Sequence, residues 1–228
     1  MVIIRLHTLS SRVPKLQDAA AVARLIYICD EDAFKPGENG EETLKASWQQ
    51  HYFCLSSDAW MIVAKPDELV GYADVRPEPD SAFQAFIQTL YVHPKYQNRG
   101  IETLLVRLGE ERARQLSTQA SSRLRIAVRS DNRLLSDTIQ LEGYQLVRQF
   151  LRVNVTRAQL ALQTLGASAE QITLDVALPL ANGKNTLSEQ RRLAVSTVTQ
   201  YDIYEKVSGT GSMQAVEQVS SLQCTLVG

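Results

Sequence analysis

The run Ile87-Gln88-Thr89-Leu90-Tyr91-Val92-His93-Pro94-Lys95-Tyr96-Gln97-Asn98-Arg99-Gly100-Ile101-Glu102-Thr103-Leu104-Leu105, followed by Val106-Arg107-Leu108, decides how the rest of the chain is read. Its first part is apolar and β-favouring, which predicts a buried strand. A polar turn with a glycine follows. Ile101, Leu104, Leu105 and Leu108 then recur at i, i+3, i+4, i+7, the spacing of one helix face. A strand, a glycine-containing loop and a helix N-terminus together make a cradle for phosphate, because backbone N–H groups point out of the first turn.

Working outward, residues 60–64 and 69–75 read as two strands joined by Lys65-Pro66-Asp67-Glu68, which is turn chemistry and predicts a hairpin. Residues 85–92 form the strand that leads to the cradle. On the C-terminal side, residues 124–129 alternate as a strand. Ser130-Asp131-Asn132 then caps a helix reaching about residue 142, and Gly143 takes the usual position after a helix end. Residues 146–155 give another long strand. Toward the N-terminus, residues 3–6 read as an opening strand. Leu16, Ala19, Ala20, Ala23, Ile26 and Tyr27 make a helical stripe, and a second helix falls near residues 41–50. The acidic, turn-rich stretch 30–40 joins these helices and is placed to border a substrate site. The order is β-α-α-β-β-β-α-β-α-β, an α/β fold with a mixed sheet.

Beyond residue 156 the pattern changes. Residues 157–164 read as helical, 172–178 as a strand, 181–188 as a turn-rich connection and 193–207 as a further strand. The expected organisation is a domain at 1–156, a β-rich extension at 157–207 and a flexible tail at 208–228. The extension offers strand edges for a homodimer or for covering the acceptor side of the chain's own site.

Composition narrows the function classes. The 228 residues are 44% hydrophobic and 21% charged, with Lys+Arg 24 against Asp+Glu 25 and a formal net charge of -1. No global basic field is available for nucleic acid or an anionic membrane. Cys29, Cys54 and Cys224 are far apart and odd in number, so neither a zinc site nor a disulfide framework is indicated. No stretch approaches the roughly 20 apolar residues of a membrane span, and residues 1–7 do not read as a signal peptide. The expectation is a cytoplasmic protein without a metal. His7 and His51 have no partner at a spacing that makes a triad.

Three motifs together resemble the GNAT superfamily of N-acetyltransferases. Gln97-Asn98-Arg99-Gly100-Ile101-Glu102 stands against the family pattern Q/R-x-x-G-x-G/A. Asn132 and Gly143-Tyr144 stand at the separation of N-x-x-A-x-x-L-Y-x-x-x-G-F/Y. Val70-Gly71-Tyr72-Ala73 lies on the strand before the cofactor strand. The resemblance covers roughly residues 10–155 and implies a GNAT-like acyltransferase fold. It also implies transfer of acetyl from acetyl-CoA to the amine of a small molecule or peptide by direct attack. The implied donor-binding residues are Leu90, Tyr91 and Val92 on the strand, Gln97, Asn98, Arg99, Gly100, Ile101, Glu102 and Thr103 in the cradle, and Asn132 toward the pantetheine. No catalytic residue is assigned; Asp74, Tyr91, Asp131 and Tyr144 are the nearby polar candidates. Three departures from the family pattern stand out. Glu102 stands where the loop ends in a small residue, and Ile139 where a tyrosine often serves as general acid. The strand residues Phe86, Gln88 and Thr89 include no glutamate base. Glu102 and Ile139 favour an alternative, a catalytically weak module that binds acyl-CoA or a protein partner in regulation.

Overall fold

The structure is a computed structural model and describes residues 9–31, 33–34, 39–78, 84–156, 171–178 and 197–209. Its strands are β1 (Leu9–Arg12), β2 (Ala59–Ala64), β3 (Glu68–Pro77), β4 (Ala85–Val92), β5 (Ser121–Arg129), β6 (Gln145–Thr156), β7 (Gln171–Leu178) and β8 (Thr197–Gly209). Its α-helices are α1 (Ala19–Cys29), α2 (Gly40–Trp48), α3 (Leu55–Asp58), α4 (Ile101–Leu116) and α5 (Arg133–Leu141). The strands form one mixed sheet in the order β1-β2-β3-β4-β5-β8-β6-β7.

Alternation along the central strands, shifted by one residue in β3 where the pairs Ile62↔Gly71 and Val63↔Leu69 leave Val70 extra, sends side chains to two separate cores. Ile62, Val70, Leu90 and Val92 face α4 and α5, together with Leu105 and Ile139. Met61 and Tyr72 face α1 and α2, together with Val22, Leu25 and Trp48. Covering β4 on both faces explains why its sequence reads as a nearly continuous apolar run. Gly71 lets the start of α4 lie close to the sheet, since a Cβ there would meet Ile101 Cγ2 at 3.1 Å. Gly109 does the same further along: a Cβ would fall 2.3 Å from the buried Gln88 amide, whose Nε2 donates to the Leu105 carbonyl at 2.7 Å.

The buried line of α4 is Ile101, Leu105, Gly109 and Ala113, with Val106 beside it. Leu104 and Leu108, expected on the core stripe, pack at its margin. Arg112, which reads as part of a solvated helix face, pairs with buried Asp58 at 2.7 Å.

β1 is the polar segment Leu9–Arg12, paired antiparallel with β2; the opening strand expected at 3–6 lies outside the described residues. The helix expected at 157–164 and the connection at 181–188 also lie outside them. The strand expected at 193–207 is β8, and its place bears on how the C-terminal segment is organised. β8 enters the middle of the sheet, antiparallel to β5 on one side and to β6 on the other. The segment expected as an extension thus shares the main sheet, and β8 has both edges taken. β7 pairs with β6 and ends the strand order. No helix among the described residues is long and apolar enough to cross a membrane.

Candidate active site

The site begins where two parallel strands part. β4 and β5 are paired from Ala85↔Arg123 to Gln88↔Ile126 and no further. Beyond that point β4 runs on to Val92 with its other edge held by β3, and β5 runs on to Arg129 with its other edge held by β8. The facing edges of Thr89–Val92 and Ala127–Arg129 bound a cavity of about 190 Å³. An extended chain laid between such edges can pair with backbone as an added strand does.

Leu90, Tyr91 and Val92 line this cavity, as do Gln97, Glu102 and Asn132. Asn98, Arg99, Gly100, Ile101 and Thr103 build the loop and first helical turn beside it. Asn98 (φ 59) and Gly100 (φ 82) are left-handed. The first becomes possible for an asparagine and the second costs a glycine nothing. The first intrahelical bond runs from Leu104 N to Gly100 O at 3.1 Å. The amides of Gly100, Ile101, Glu102 and Thr103 therefore have no carbonyl acceptor within the helix, the kind of donor set a phosphate needs. Arg99, the loop's cation, lies over the Tyr96 ring at 4.8 Å and donates to the Lys95 carbonyl at 3.1 Å. Asn132 caps α5 by accepting from Leu135 N at 3.2 Å, which orients its side chain at the cavity wall.

Glu102 is turned into the loop. It is 5% exposed and accepts from Asn98 N at 3.2 Å. Burial pushes its carboxyl above the usual range, while hydrogen bonds from its own amide and that of Asn98 pull the other way.

The opposite end of the cavity was not assigned from sequence. Asp30 follows the last residue of α1 and is 6% exposed. A carboxylate at a helix C-terminus is opposed by the helix dipole, so its burial there needs donors. The Tyr201 hydroxyl, on β8, donates to it, lying 2.9 and 3.0 Å from its two oxygens. Arg129, at the end of β5, approaches it at 3.5 Å and forms a second pair with Asp131 at 2.8 Å. The Tyr201 ring stacks on Phe150 with centroids 5.0 Å apart, and the Arg152 guanidinium lies 5.0 Å from the Tyr201 ring. Burial and the Asp30 charge push the Tyr201 and Tyr91 hydroxyls above their ordinary range. Burial pushes the Cys29 thiol up to about 12, so it is a neutral donor, to the Val92 carbonyl at 3.3 Å. Asp30, Arg129, Phe150, Arg152 and Tyr201 all line the cavity. The only sequence signal near them was the acidic stretch 30–40 as a site border.

The four polar candidates separate. Tyr91 lines the cavity. Asp131 stands in the outer groove beside Tyr27, Ile28 and Leu134. Asp74 is committed elsewhere, accepting from the Tyr72 hydroxyl at 2.6 Å and Arg76 Nη2 at 2.9 Å. Tyr144 is buried in the α4 and α5 core, as is Ile139. Among the described residues no group of His, Cys, Asp and Glu is arranged to hold a metal.

The sequence profile of the acetyltransferase (GNAT) family matches residues 23–134. Comparison with curated proteins finds no match. Among solved structures, the chain is similar to a GCN5-related N-acetyltransferase from Sphaerobacter thermophilus. That likeness has 18% identity and a TM-score of 0.66, over 90% of this chain and 98% of that one. A phosphinothricin acetyltransferase from Sinorhizobium meliloti, solved in complex with AcCoA, is 11% identical with a TM-score of 0.55, covering 90% and 91%. The ribosomal-protein-S18-alanine N-acetyltransferase from Escherichia coli is 14% identical with a TM-score of 0.51, covering 90% and 97%.

Proposed function

Since this chain belongs to the acetyltransferase (GNAT) family, we propose that it transfers acetyl from acetyl-CoA to a primary amine by direct attack. One observation carries this reading: the parting of β4 and β5 opens a cavity that reaches the left-handed loop at the start of α4. Pantetheine would pair with the β4 edge, and the loop amides and α4 first turn would face the pyrophosphate. Asn132 stands across the cavity from that edge. The thioester supplies an activated carbonyl and a good leaving group.

What the chain adds is orientation and proton handling. We assign the acceptor to the Asp30 end. An ammonium group there gives one proton to the Asp30 carboxylate. The freed nitrogen lone pair forms the C–N bond, the C–S bond breaks, and the nitrogen's second proton passes to the departing sulfur. Tyr201 and Arg129 hold Asp30 in place for the first step. The test is calorimetric titration with acetyl-CoA, alongside CoA release measured over a panel of small amines and peptide N-termini. Binding with turnover on at least one amine is the expected result. Absence of acetyl-CoA binding would remove the reading.

A second reading has its own observation. Ile139 is fully buried where the family pattern often has tyrosine, so no phenol reaches sulfur from α5. Tight binding with no turnover on any amine would identify a binding module instead.

A further inference from the structure

The loop at the start of α4 already contains an anion. The Glu102 carboxylate is buried, lines the same cavity as Gln97 and Asn132, and takes the Asn98 amide that a phosphate oxygen would otherwise meet. Among the described residues no cation pairs with it, since Arg99 is turned onto Tyr96 and the Lys95 carbonyl. Resting on the donor reading above, we propose that Glu102 competes with the donor's pyrophosphate for this cradle. Phosphate enters only when the carboxylate has taken up a proton or swung out.

The charged and titratable groups around it all leave this competition intact. On the loop, His93 Nδ1 accepts from Lys95 N at 3.2 Å, and Lys95 is exposed. From α1 comes the neutral Cys29 thiol. From β5 comes Arg129, paired with Asp131 and Asp30. From α5 comes Arg133 in the outer groove. From β4, β6 and β8 come Tyr91, Arg152 and Tyr201 at the far end of the cavity.

The sign follows from linkage. Burial has already raised the Glu102 pKa in the free protein. A pyrophosphate beside it raises it further, so donor binding takes up a proton. Affinity is greatest below the free-state pKa and falls by up to about tenfold per pH unit between the two pKa values. Above the pKa of the complex it levels off at its weakest.

Glu102→Gln isolates the charge, because the amide oxygen still accepts from Asn98. Acetyl-CoA titrated calorimetrically into the full chain, from mildly acidic to mildly alkaline pH, should show two things. Glu102→Gln should bind about tenfold or more tightly than the parent at the alkaline end, and the two should converge at the acidic end. Any slope that Glu102→Gln retains belongs to the ligand's own phosphates. Glu102→Ala should move in the same direction. Equal affinities and slopes in parent and Glu102→Gln overturn the proposal. So does weaker binding by both variants, which would make Glu102 a support of the loop. If neither parent nor variants bind acetyl-CoA at any pH, it is the donor site itself that fails.

Discussion

Replacing Tyr201 by phenylalanine removes one oxygen from the proposed acceptor end and leaves the ring stacked on Phe150. The oxygen matters because its partner is charged and buried: Asp30 is 6% exposed, with the hydroxyl 2.9 and 3.0 Å from its two oxygens. A hydrogen bond to a charged group contributes about 1.5–3 kcal/mol. For a chain of this length each kcal/mol shifts Tm by about 2–4 °C, so Tyr201→Phe should lower Tm by roughly 3–12 °C. In an Asp30→Asn background the same change removes a bond between neutral groups, worth about 0.5–1.5 kcal/mol. The two substitutions should therefore couple by about 1 kcal/mol or more. Urea unfolding of parent, both single variants and the double variant at neutral pH measures this. Acetyl-CoA titration of the same four proteins checks that the donor end is unchanged. Additive losses, within about 0.3 kcal/mol, would refute the contact. Asp30→Asn should also lower kcat/KM by about 10²–10⁴-fold with donor affinity kept. Parent-like turnover would remove Asp30 as proton acceptor.

Gly109→Ala should destabilise by about 1–3 kcal/mol, because its Cβ would fall 2.3 Å from the Gln88 amide; a Gln88→Ala background should relieve part of this in urea unfolding. Arg12 holds the Asp18 carboxyl below the usual range through a side-chain hydrogen bond. That contribution is complete above the ordinary carboxylate pKa and is lost as pH falls through the lowered folded-state value. Arg12→Met should therefore flatten the acid limb of stability against pH, and an unchanged limb would sink the assignment. A chain ending after residue 156 lacks β8, the antiparallel partner of both β5 and β6. It should fail to give a cooperative thermal transition, whereas a folded product that binds acetyl-CoA would show that β5 and β6 stand without it.

The strand, left-handed loop and helix start at the proposed donor end were legible because their determinants are contiguous. A β-favouring run, a left-handed glycine and a period-3.6 stripe lie within residues 87–108, and each acts on its neighbours. The same holds for the Asn132 cap and for Gly143, whose φ of 90 ends α5. The Asp30 end of the cavity was not legible for the opposite reason. Asp30 and Tyr201 are 171 positions apart, and they meet only because β8 is inserted between β5 and β6. That pairing is non-local, and no local pattern in residues 197–209 distinguishes a central strand from one on an added layer. Leu104 and Leu108 were over-read in a related way. The apolar period fits them equally well, but the close approach at Gly109 turns α4 so that Leu105 and Gly109 meet the sheet.

Both ends of the site share β5 as a wall. Its residues 127–129 present one edge to the cavity against β4 and the other to β8, where Ala127↔Ile203 and Arg129↔Tyr201 are paired. In the proposed arrangement a donor laid along β4 would lie against the same strand that carries Arg129 to Asp30. The carboxylate of Glu102 lies at the donor mouth of this arrangement and that of Asp30 at its acceptor end. In the proposed reaction the two need opposite protonation states when the site is filled: Glu102 protonated or displaced to admit pyrophosphate, and Asp30 ionised to receive the amine's proton.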